Sequence, residues 1–274
     1  MPQINFAGVV HSVFDQAVNI RLTDGHLATC TAADYFELPR GIRVATAHGF
    51  RFSSLLTNGA AAYCRGGILR FRGSNLKIDL RDAPVWQNDY TAATRPSRQR
   101  LHALWRVAVG QTTFGFDFPK QQSLALLAGL GSDDRRQVRQ SLRGLIGRGP
   151  GLTPAGDDVI AGFLAAPKLM APAQPWSRAL GLFTLQYLQA TNDISRQMLS
   201  DAAGGHFIEP ILSTLSAIYG AGQIGRSTRR LRSVGGTSGA AMLLGLVAGI
   251  AHVEDYQLQK AAEVLEPVRS AGAY

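Results

Sequence analysis

Cysteine is scarce in this chain of 274 residues, and its scarcity excludes whole classes of protein. Cys30 and Cys64 are the only two, so no disulfide framework can be read from the sequence. Two lone thiols fit a reducing compartment, where each is expected to be a small buried side chain. Residues 1–8 lack the basic start and apolar run of a secretory signal, so the sequence predicts a cytoplasmic protein.

Several common site signatures are also missing. The six histidines are scattered, with no pair four residues apart and no cysteine pair beside them, so zinc is not indicated. No Gly-x-Ser-x-Gly elbow supports a serine hydrolase. The uncharged stretch 233–253 approaches the ~20 residues of a membrane span, but it opens with glycines and hydroxyl residues. It therefore predicts a buried core helix rather than contact with a membrane.

Lysine is rare although the net charge is +9. Lys77, Lys120, Lys168 and Lys260 are the only lysines, which leaves 24 arginines among 28 basic residues. Guanidinium forks bind carboxylate and phosphate, so the bias suits a protein that handles planar anions or contacts an acidic partner. Codon composition would give the same bias. Nucleic acid is not an expected partner, because no aromatic residues interleave a basic run.

The hydrophobic periodicity predicts an α+β protein. An antiparallel β-rich domain is expected over residues 1–95, where Val18, Ile20 and Leu22 alternate with polar residues before a turn. A mainly helical domain that carries the Gly-rich motifs is expected over 96–274. Its predicted helices cover residues 97–109, 120–130, 133–146, 155–165, 176–190, 193–203, 209–219, 238–251 and 255–265.

A weak internal repeat aligns Gly156 with Gly239 and Gly162 with Gly245. Each copy is a turn of small residues that leads into an apolar helix. Chance similarity is an alternative, since glycines six apart do not share a helix face. If the repeat is structural, two similar helix hairpins pack about a local two-fold axis, and their helix starts face a shared cleft.

The stretch 147–158, Gly-Arg-Gly-Pro-Gly-Leu-Thr-Pro-Ala-Gly-Asp-Asp, carries the most unusual chemistry. With Thr153 as cap and Pro154 as first helical residue, the free amides of a helix start would face outward and favour an anion. Asp157 and Asp158 oppose a free anion there, so they need another role. Either they hold Mg²⁺, the one cofactor that the sequence suggests without establishing it, or they accept from a substrate NH₂ group. A simple capping role is the alternative.

A second candidate anion site is the stretch 233–239, which Arg226, Arg229, Arg230 and Arg232 precede. A solvated basic face is the alternative.

The spacing of Arg135, Arg136, Arg139 and Arg143 predicts the exposed side of an amphipathic helix. A further polar helix start, with Thr191 or Asn192 as cap, precedes Ser195. The predicted catalytic residues are Asp157, Asp158 and Thr153, and the predicted substrate-binding or anion-binding residues are Gly149, Gly151, Gly156, Arg230, Gly236, Thr237, Ser238, Gly239 and Ser195.

The Gly-Leu-Thr-Pro-Ala-Gly-Asp-Asp signature, the later Ser195 and the stretch Gly236-Thr-Ser-Gly239 resemble the AllH family. The family pattern has Ser where this chain has Ala155, so a role for that hydroxyl is absent or moved. The resemblance implies a subunit that acts beside other subunit types in oxamate carbamoyltransferase. That enzyme exchanges a carbamoyl group between oxalurate and phosphate, giving oxamate and carbamoyl phosphate, in anaerobic purine or allantoin nitrogen metabolism.

Two hypotheses follow for function. The first is a cytoplasmic carbamoyltransferase subunit within a hetero-oligomer, with Asp157 and Asp158 contacting a small anionic amide or a metal and a second site binding phosphate. The second is a non-catalytic structural or anion-sensing subunit whose basic surface docks an acidic protein.

Overall fold

The computed structural model describes residues 5–87, 90, 96–109, 120–220 and 222–254. The chain divides into two compact units, Met1–Asn88 and Asp89–Tyr274. The described strands all belong to the first unit and the described helices of eight or more residues to the second, so the predicted α+β class is confirmed. The predicted boundary between residues 95 and 96 lies slightly further along the chain.

The first unit is a single seven-stranded sheet with strand order β4-β3-β2-β1-β5-β6-β7. Its strands are β1 (Phe6–Val13), β2 (Ala17–Leu22), β3 (Leu27–Ala32), β4 (Gly41–Val44), β5 (Ala61–Arg65), β6 (Ile68–Phe71) and β7 (Lys77–Asp79). The alternation at Val18, Ile20 and Leu22 corresponds to the hairpin β2–β3, and β6 and β7 form a second antiparallel hairpin. The pair β3–β4 is parallel, so the sheet is mixed rather than wholly antiparallel. The connection 33–40 carries the chain back to the end of the sheet at which β3 begins, so that β4 runs in the same direction as β3.

One face of the sheet forms the core of this unit. Val18, Ile20 and Leu69 are buried there, beside Phe52 from the connection between β4 and β5. Cys30 is a free thiol in this core, and burial raises its pKa to about 12. Such a thiol stays protonated and packs as a small apolar group, as the sequence predicts.

The second unit is helical. Its helices are α1 (Arg98–Val109), α2 (Lys120–Leu130), α3 (Arg135–Leu145), α4 (Ala155–Met170), α5 (Pro175–Gln186), α6 (Asp193–Ala203), α7 (Glu209–Ile218), α8 (Ile224–Arg232) and α9 (Ser238–Val253). Eight of these match predicted helices within a few residues. The ninth predicted helix, over 255–265, lies outside the described residues.

Helix α8 is not among the helices that the hydrophobic periodicity predicts. Its buried stripe is Ile224, Thr228 and Leu231, of which only Thr228 and Leu231 are fully buried. Thr228 occupies the middle of the stripe, where its hydroxyl donates to the Ile224 carbonyl at 2.8 Å. A hydroxyl residue at a position where periodicity requires an apolar one hides the helical pattern.

α4 and α9 are the central pair of the helical unit and pack against each other more extensively than any other two helices described. Nearly every residue of both is buried, which explains why their sequences are apolar on all sides. The prediction that the apolar stretch 233–253 is a core helix is therefore confirmed. Among the described residues, no helix combines the length and the apolar character that crossing a membrane requires.

Candidate functional site

Two helix hairpins with the same architecture meet at the centre of the helical unit. The first hairpin is α3, α4 and the loop between them; the second is α8, α9 and their loop. The second residue of each long helix is a glycine pressed against a leucine carbonyl of the short helix, Gly156 against Leu145 and Gly239 against Leu231. The internal repeat is therefore structural and not a chance similarity.

Close contacts between α4 and α9 are made at glycines. A methyl group on Gly162 would overlap the Met242 carbonyl, and one on Gly245 would overlap the Val159 carbonyl. The repeat alignment maps each of these pairs onto the other with the two helices exchanged. A local two-fold axis produces this relation, so the expected pairing of two similar hairpins is present.

The starts of α4 and α9 lie side by side. The hydroxyl oxygens of Thr153, just before α4, and Ser238, the first residue of α9, are 2.8 Å apart. Near the other end, Gly249 lies against the Phe163 carbonyl, so the two helices run in the same direction. The two predicted segments thus meet, whereas a shared cleft between them stays a prediction.

The start of α4 differs from the sequence expectation. The helix begins at Ala155 with Pro154 as N-cap residue, and Thr153 does not cap it. Its first amides are already used: Gly156 donates to the Arg148 carbonyl, and the next two amides both donate to the Pro154 carbonyl. The residues of the first turn are buried as well. The prediction that free amides face outward to bind an anion is therefore wrong for this helix.

Asp157 is completely buried, and both of its carboxylate oxygens accept hydrogen bonds. Oδ1 accepts from the Gly147 amide at 2.8 Å, and Oδ2 accepts from the Thr191 hydroxyl at 2.5 Å. Burial raises the pKa of this carboxyl, while these donors and the nearby Ser195 hydroxyl oppose the rise. Asp157 thus ties the start of α4 to the end of α3 and to the residues before α6.

Asp158 is also completely buried, but its two oxygens differ. Oδ2 accepts from the Thr153 hydroxyl at 3.2 Å, whereas Oδ1 has no hydrogen-bond partner among the described residues. Burial raises the pKa of Asp158 to about 7 although the hydroxyls of Ser238 and Thr153 lower it, and the charge of Asp157 raises it further. Near neutral pH this carboxyl is divided between its protonated and ionised forms. Its free Oδ1 is an unfilled hydrogen-bonding position.

The start of α6 adds the remaining polar groups. Asn192 caps the helix by accepting from the Ser195 amide at 3.0 Å, and its side-chain amide donates to the Leu152 carbonyl at 2.9 Å. Ser195 is completely buried, and its Oγ lies near Asp157 without the geometry of a hydrogen bond to any group in the part of the chain that the structure describes. Of the two predicted caps, Asn192 is therefore the cap, and Thr191 binds Asp157 instead.

Six side chains form an acid–hydroxyl cluster: Thr153, Asp157, Asp158, Thr191, Ser195 and Ser238. Five of the six are among the residues that the sequence predicts for the site. Thr191 is the exception, because a threonine before a helix is typical of a cap. Within the described residues, the cluster leaves two buried polar atoms without hydrogen-bond partners, Asp158 Oδ1 and Ser195 Oγ.

Other predicted residues lie outside this cluster. Arg230 on α8 forms an ion pair with Glu209 at 2.6 Å, so its charge is already compensated. Gly239 is buried and donates its amide to the Val234 carbonyl. The structure therefore gives no support to an anion site that combines Arg230 with the amide of Gly239. Gly149, Gly151, Gly236 and Thr237 are partly or fully exposed loop residues, and their roles stay predictions.

The hydrogen bonds of Asp157 bear on the predicted Mg²⁺ site. Each of its carboxylate oxygens accepts one hydrogen bond, from the Gly147 amide or the Thr191 hydroxyl, and the Mg²⁺ role of the pair stays a prediction. Within the part of the chain that the structure describes, no group of three or more His, Cys, Asp or Glu side chains could hold a metal ion. The arrangement favours the other predicted role, in which the carboxyl pair meets hydrogen-bond donors.

A cavity of about 210 Å³ lies at the opposite end of α3 and α9. Its lining includes Trp176 and Phe183 from α5, Arg135 from α3 and His252 from α9. Trp176 and His252 meet edge to face, with ring centroids 4.4 Å apart. None of the lining residues belongs to the acid–hydroxyl cluster.

The fold and the site define a class of α+β protein in which a β-sheet unit precedes a helical unit with two related hairpins and a buried carboxyl pair. A family model described as the AllH family N-terminal domain matches residues 2–85, and one described as oxamate carbamoyltransferase subunit AllH matches residues 145–250. The chain belongs to the AllH family. No solved structure matches it.

Proposed function

We propose that this chain is a subunit of an enzyme that transfers a carbamoyl group between oxalurate and phosphate, giving oxamate and carbamoyl phosphate. The name of the matched family supports the subunit role. The observation that carries the catalytic part is the buried acid–hydroxyl cluster, in which Asp158 Oδ1 and Ser195 Oγ lack partners. Polar atoms that are buried without partners in a native protein call for an explanation, and a bound substrate supplies one.

The chemistry of the cluster suits an amide or carbamoyl group. Asp158 Oδ1 accepts from an NH₂ group, which a carboxyl oxygen can do while the group carries its proton on the other oxygen, and the hydroxyl of Ser195 donates to a carbonyl oxygen. When phosphate attacks the carbamoyl carbon of oxalurate, the bond to the amide nitrogen breaks and that nitrogen takes up a proton as oxamate leaves. A carboxyl whose pKa is about 7 can give that proton and recover it from the attacking hydrogen phosphate at neutral pH.

Access requires a movement, because Asp157, Asp158 and Ser195 are completely enclosed. The loop between α3 and α4 covers this end of the helices, and Gly149 and Gly151 within it have positive φ values of 100° and 108°. We assign to this loop the opening that admits substrate. Closure would exclude water and strengthen the interactions of the carboxyl pair with substrate.

A second candidate function is a non-catalytic subunit that docks an acidic partner. The exposed Arg226 and Arg229 of α8 favour it, since they present positive charge on one helix. Both candidates place the chain in a hetero-oligomer that serves purine or allantoin nitrogen metabolism in the cytoplasm.

Reconstitution separates the two candidates. The chain is co-expressed with the other subunit types of the complex, and carbamoyl phosphate is measured from oxalurate and phosphate. A complex assembled without this chain should lose all activity, and adding the purified chain should restore it. If the remaining subunits keep full turnover, the catalytic proposal fails, and the docking candidate is then tested by whether the complex still assembles.

A further inference from the structure

Two guanidinium groups are held over aromatic rings on the side of α3 that faces α5. The Arg139 Cζ lies 4.0 Å from the centroid of the Phe183 ring, and its Nη1 donates to the Gln186 Oε1 at 2.8 Å. The Arg143 Cζ lies 5.4 Å from the centroid of the Tyr187 ring. Stacking of this kind fixes the plane of a guanidinium fork before any ligand arrives. Arg143 is exposed, as the amphipathic pattern predicts, and Arg139 is half-buried; the stacking contacts are what the pattern does not show.

The two guanidinium groups lie one helical turn apart on α3, Arg139 over the Phe183 ring and Arg143 over the Tyr187 ring. Burial raises the pKa of the Tyr187 phenol, but the nearby Arg139 and Arg143 together lower it by more and leave it below its ordinary value. Two guanidinium forks held on one helix face are favourable for an oxyanion. Among the described residues, neither arginine forms a salt bridge with a carboxylate, so their charges are not compensated within that part of the chain.

The position of these groups links them to the acid–hydroxyl cluster. Four residues after Arg143 comes Gly147, whose amide binds Asp157; four residues after Tyr187 comes Thr191, whose hydroxyl binds the same carboxylate. Gly147 also lies directly against the carbonyl of the residue before Thr191. The two polar groupings therefore adjoin at the end of α3.

We propose that Arg139, Arg143 and Tyr187 form an arginine–tyrosine cluster that binds a small oxyanion, either phosphate or the carboxylate of a substrate. It supplies the positive site that the carboxyl pair cannot provide, and it takes the place of the predicted site around Arg230. The identity of the oxyanion rests on the proposed function, whereas the existence of the site rests on the geometry alone.

The second hairpin offers a matched control. Superposing Leu231 on Leu145 places Arg229 at the position of Arg143 and Gly225 at the position of Arg139. Arg229 is exposed, and among the described residues no aromatic ring stacks on it. It has the same charge at the equivalent point of the repeat, without the second fork or the phenol.

Titration calorimetry of the full chain with inorganic phosphate tests the site. Wild-type protein should bind phosphate saturably, and Arg139→Gln and Arg143→Gln should each weaken binding about ten-fold, as expected for loss of a charge-assisted hydrogen bond. Tyr187→Phe should have a smaller effect, and Arg229→Gln should leave the affinity within about two-fold. Absence of saturable binding, unchanged affinity in both arginine variants, or an equal loss in Arg229→Gln would overturn the proposal.

A second titration with oxamate tests whether the cluster binds phosphate alone or a carboxylate as well. If oxamate competes with phosphate, the cluster takes either one. Binding is measured without turnover, so this proposal and the proposed function can fail separately. Phosphate binding that depends on Arg139 and Arg143, in a complex that transfers no carbamoyl group, would keep the site and reject the reaction.

Thermal melts that match wild type confirm that each variant is folded. The phosphate affinity of Arg143→Lys, which keeps the charge but not the fork, should fall between those of wild type and Arg143→Gln.

Discussion

The two hairpins of the helical unit share a backbone but not a chemistry. Their long helices have the same length and exchange equivalent glycine contacts across a local two-fold axis. Where the first hairpin has Asp157 and Asp158, the second has Ala240 and Ala241. The backbone arrangement therefore does not itself require the acidic pair, and the carboxyl groups were placed on one copy of a symmetric scaffold.

Loop length explains why only one copy tolerates buried carboxyl groups. The first hairpin connects its helices through residues 146–154, and the second through the shorter 233–237. The longer loop brings the amide of Gly147 and the hydroxyl of Thr153 to the carboxyl oxygens. Without such donors, burying two carboxyl groups would cost several kcal/mol. The extra loop residues thus hold the acidic pair in place.

The largest difference between the hairpins should appear as a pH dependence of stability. The pKa of Asp158 is about 7 in the folded chain against 3.8 for the ordinary group, so folding takes up a proton between these values. The contribution of Asp158 to stability is therefore fully present below about pH 4 and is lost as the pH rises to about 7, by on the order of 4 kcal/mol in total. Asp158→Asn should lack this fall. Urea unfolding from pH 4 to pH 8 measures the difference between the two curves, and parallel curves would contradict the raised pKa.

The next largest loss of stability is expected when a methyl group is added to a glycine at which α4 and α9 are in close contact. Gly162→Ala and Gly245→Ala each set a methyl group against a backbone carbonyl of the other helix, which has to move away. Each should destabilise the helical unit by about 3 kcal/mol, and the two losses should be similar because the contacts are related by symmetry. Gly236→Ala, where the added methyl group meets open space, serves as the control in the same thermal melts. Clearly unequal losses would argue against the two-fold relation.

A smaller loss of stability is expected when a hydrogen-bond donor to Asp157 is removed. Thr191→Val keeps the shape of the side chain but leaves Asp157 Oδ2 buried without its donor. The free energy of unfolding should fall by about 1 to 2 kcal/mol, and the double variant with Asp157→Asn should show coupling between the two sites. A double-mutant cycle measures that coupling. If the two effects simply add, the hydrogen bond does not contribute to the stability of the fold.

The smallest change in stability is expected for a substitution in the second hairpin. Arg230→Gln removes an ion pair with Glu209 that is more than half exposed on the arginine side. The stability should change by less than about 0.5 kcal/mol, and more weakly still in high salt. Activity of the assembled complex should be unaffected. A loss of turnover in this variant would restore Arg230 as a site residue.

Periodicity predicted most of the fold. Alternating residues such as Val18 and Ile20 marked strands, and the polar starts at Asn192 and Ser238 marked helices close to where the structure has them. The helix α8 was missed because Thr228 interrupts its apolar stripe. The parallel pairing of β4 was missed because strand direction depends on the path of the connection 33–40, which carries no periodic signal.

The site was predicted in part, for reasons that are equally physical. The acidic pair was found because two carboxyl residues after a Gly-rich loop are unusual, but such loops are typical of exposed segments, so the burial of Asp157 and Asp158 was not foreseen. The exposed side of α3 was predicted from its amphipathic pattern, but such a pattern shows which face is polar and not what packs on it. The rings of Phe183 and Tyr187, some 40 residues further along, become visible only in the folded chain.

The turnover of Asp158→Asn in the complete complex tests the central claim most directly. If Asp158 gives the leaving amide nitrogen its proton, carbamoyl phosphate formation from oxalurate and phosphate should fall by about 10²- to 10⁴-fold while the complex still assembles. If Asp158→Asn assembles and turns over as fast as wild type, the acidic pair is a structural feature of the first hairpin and not the centre of its chemistry.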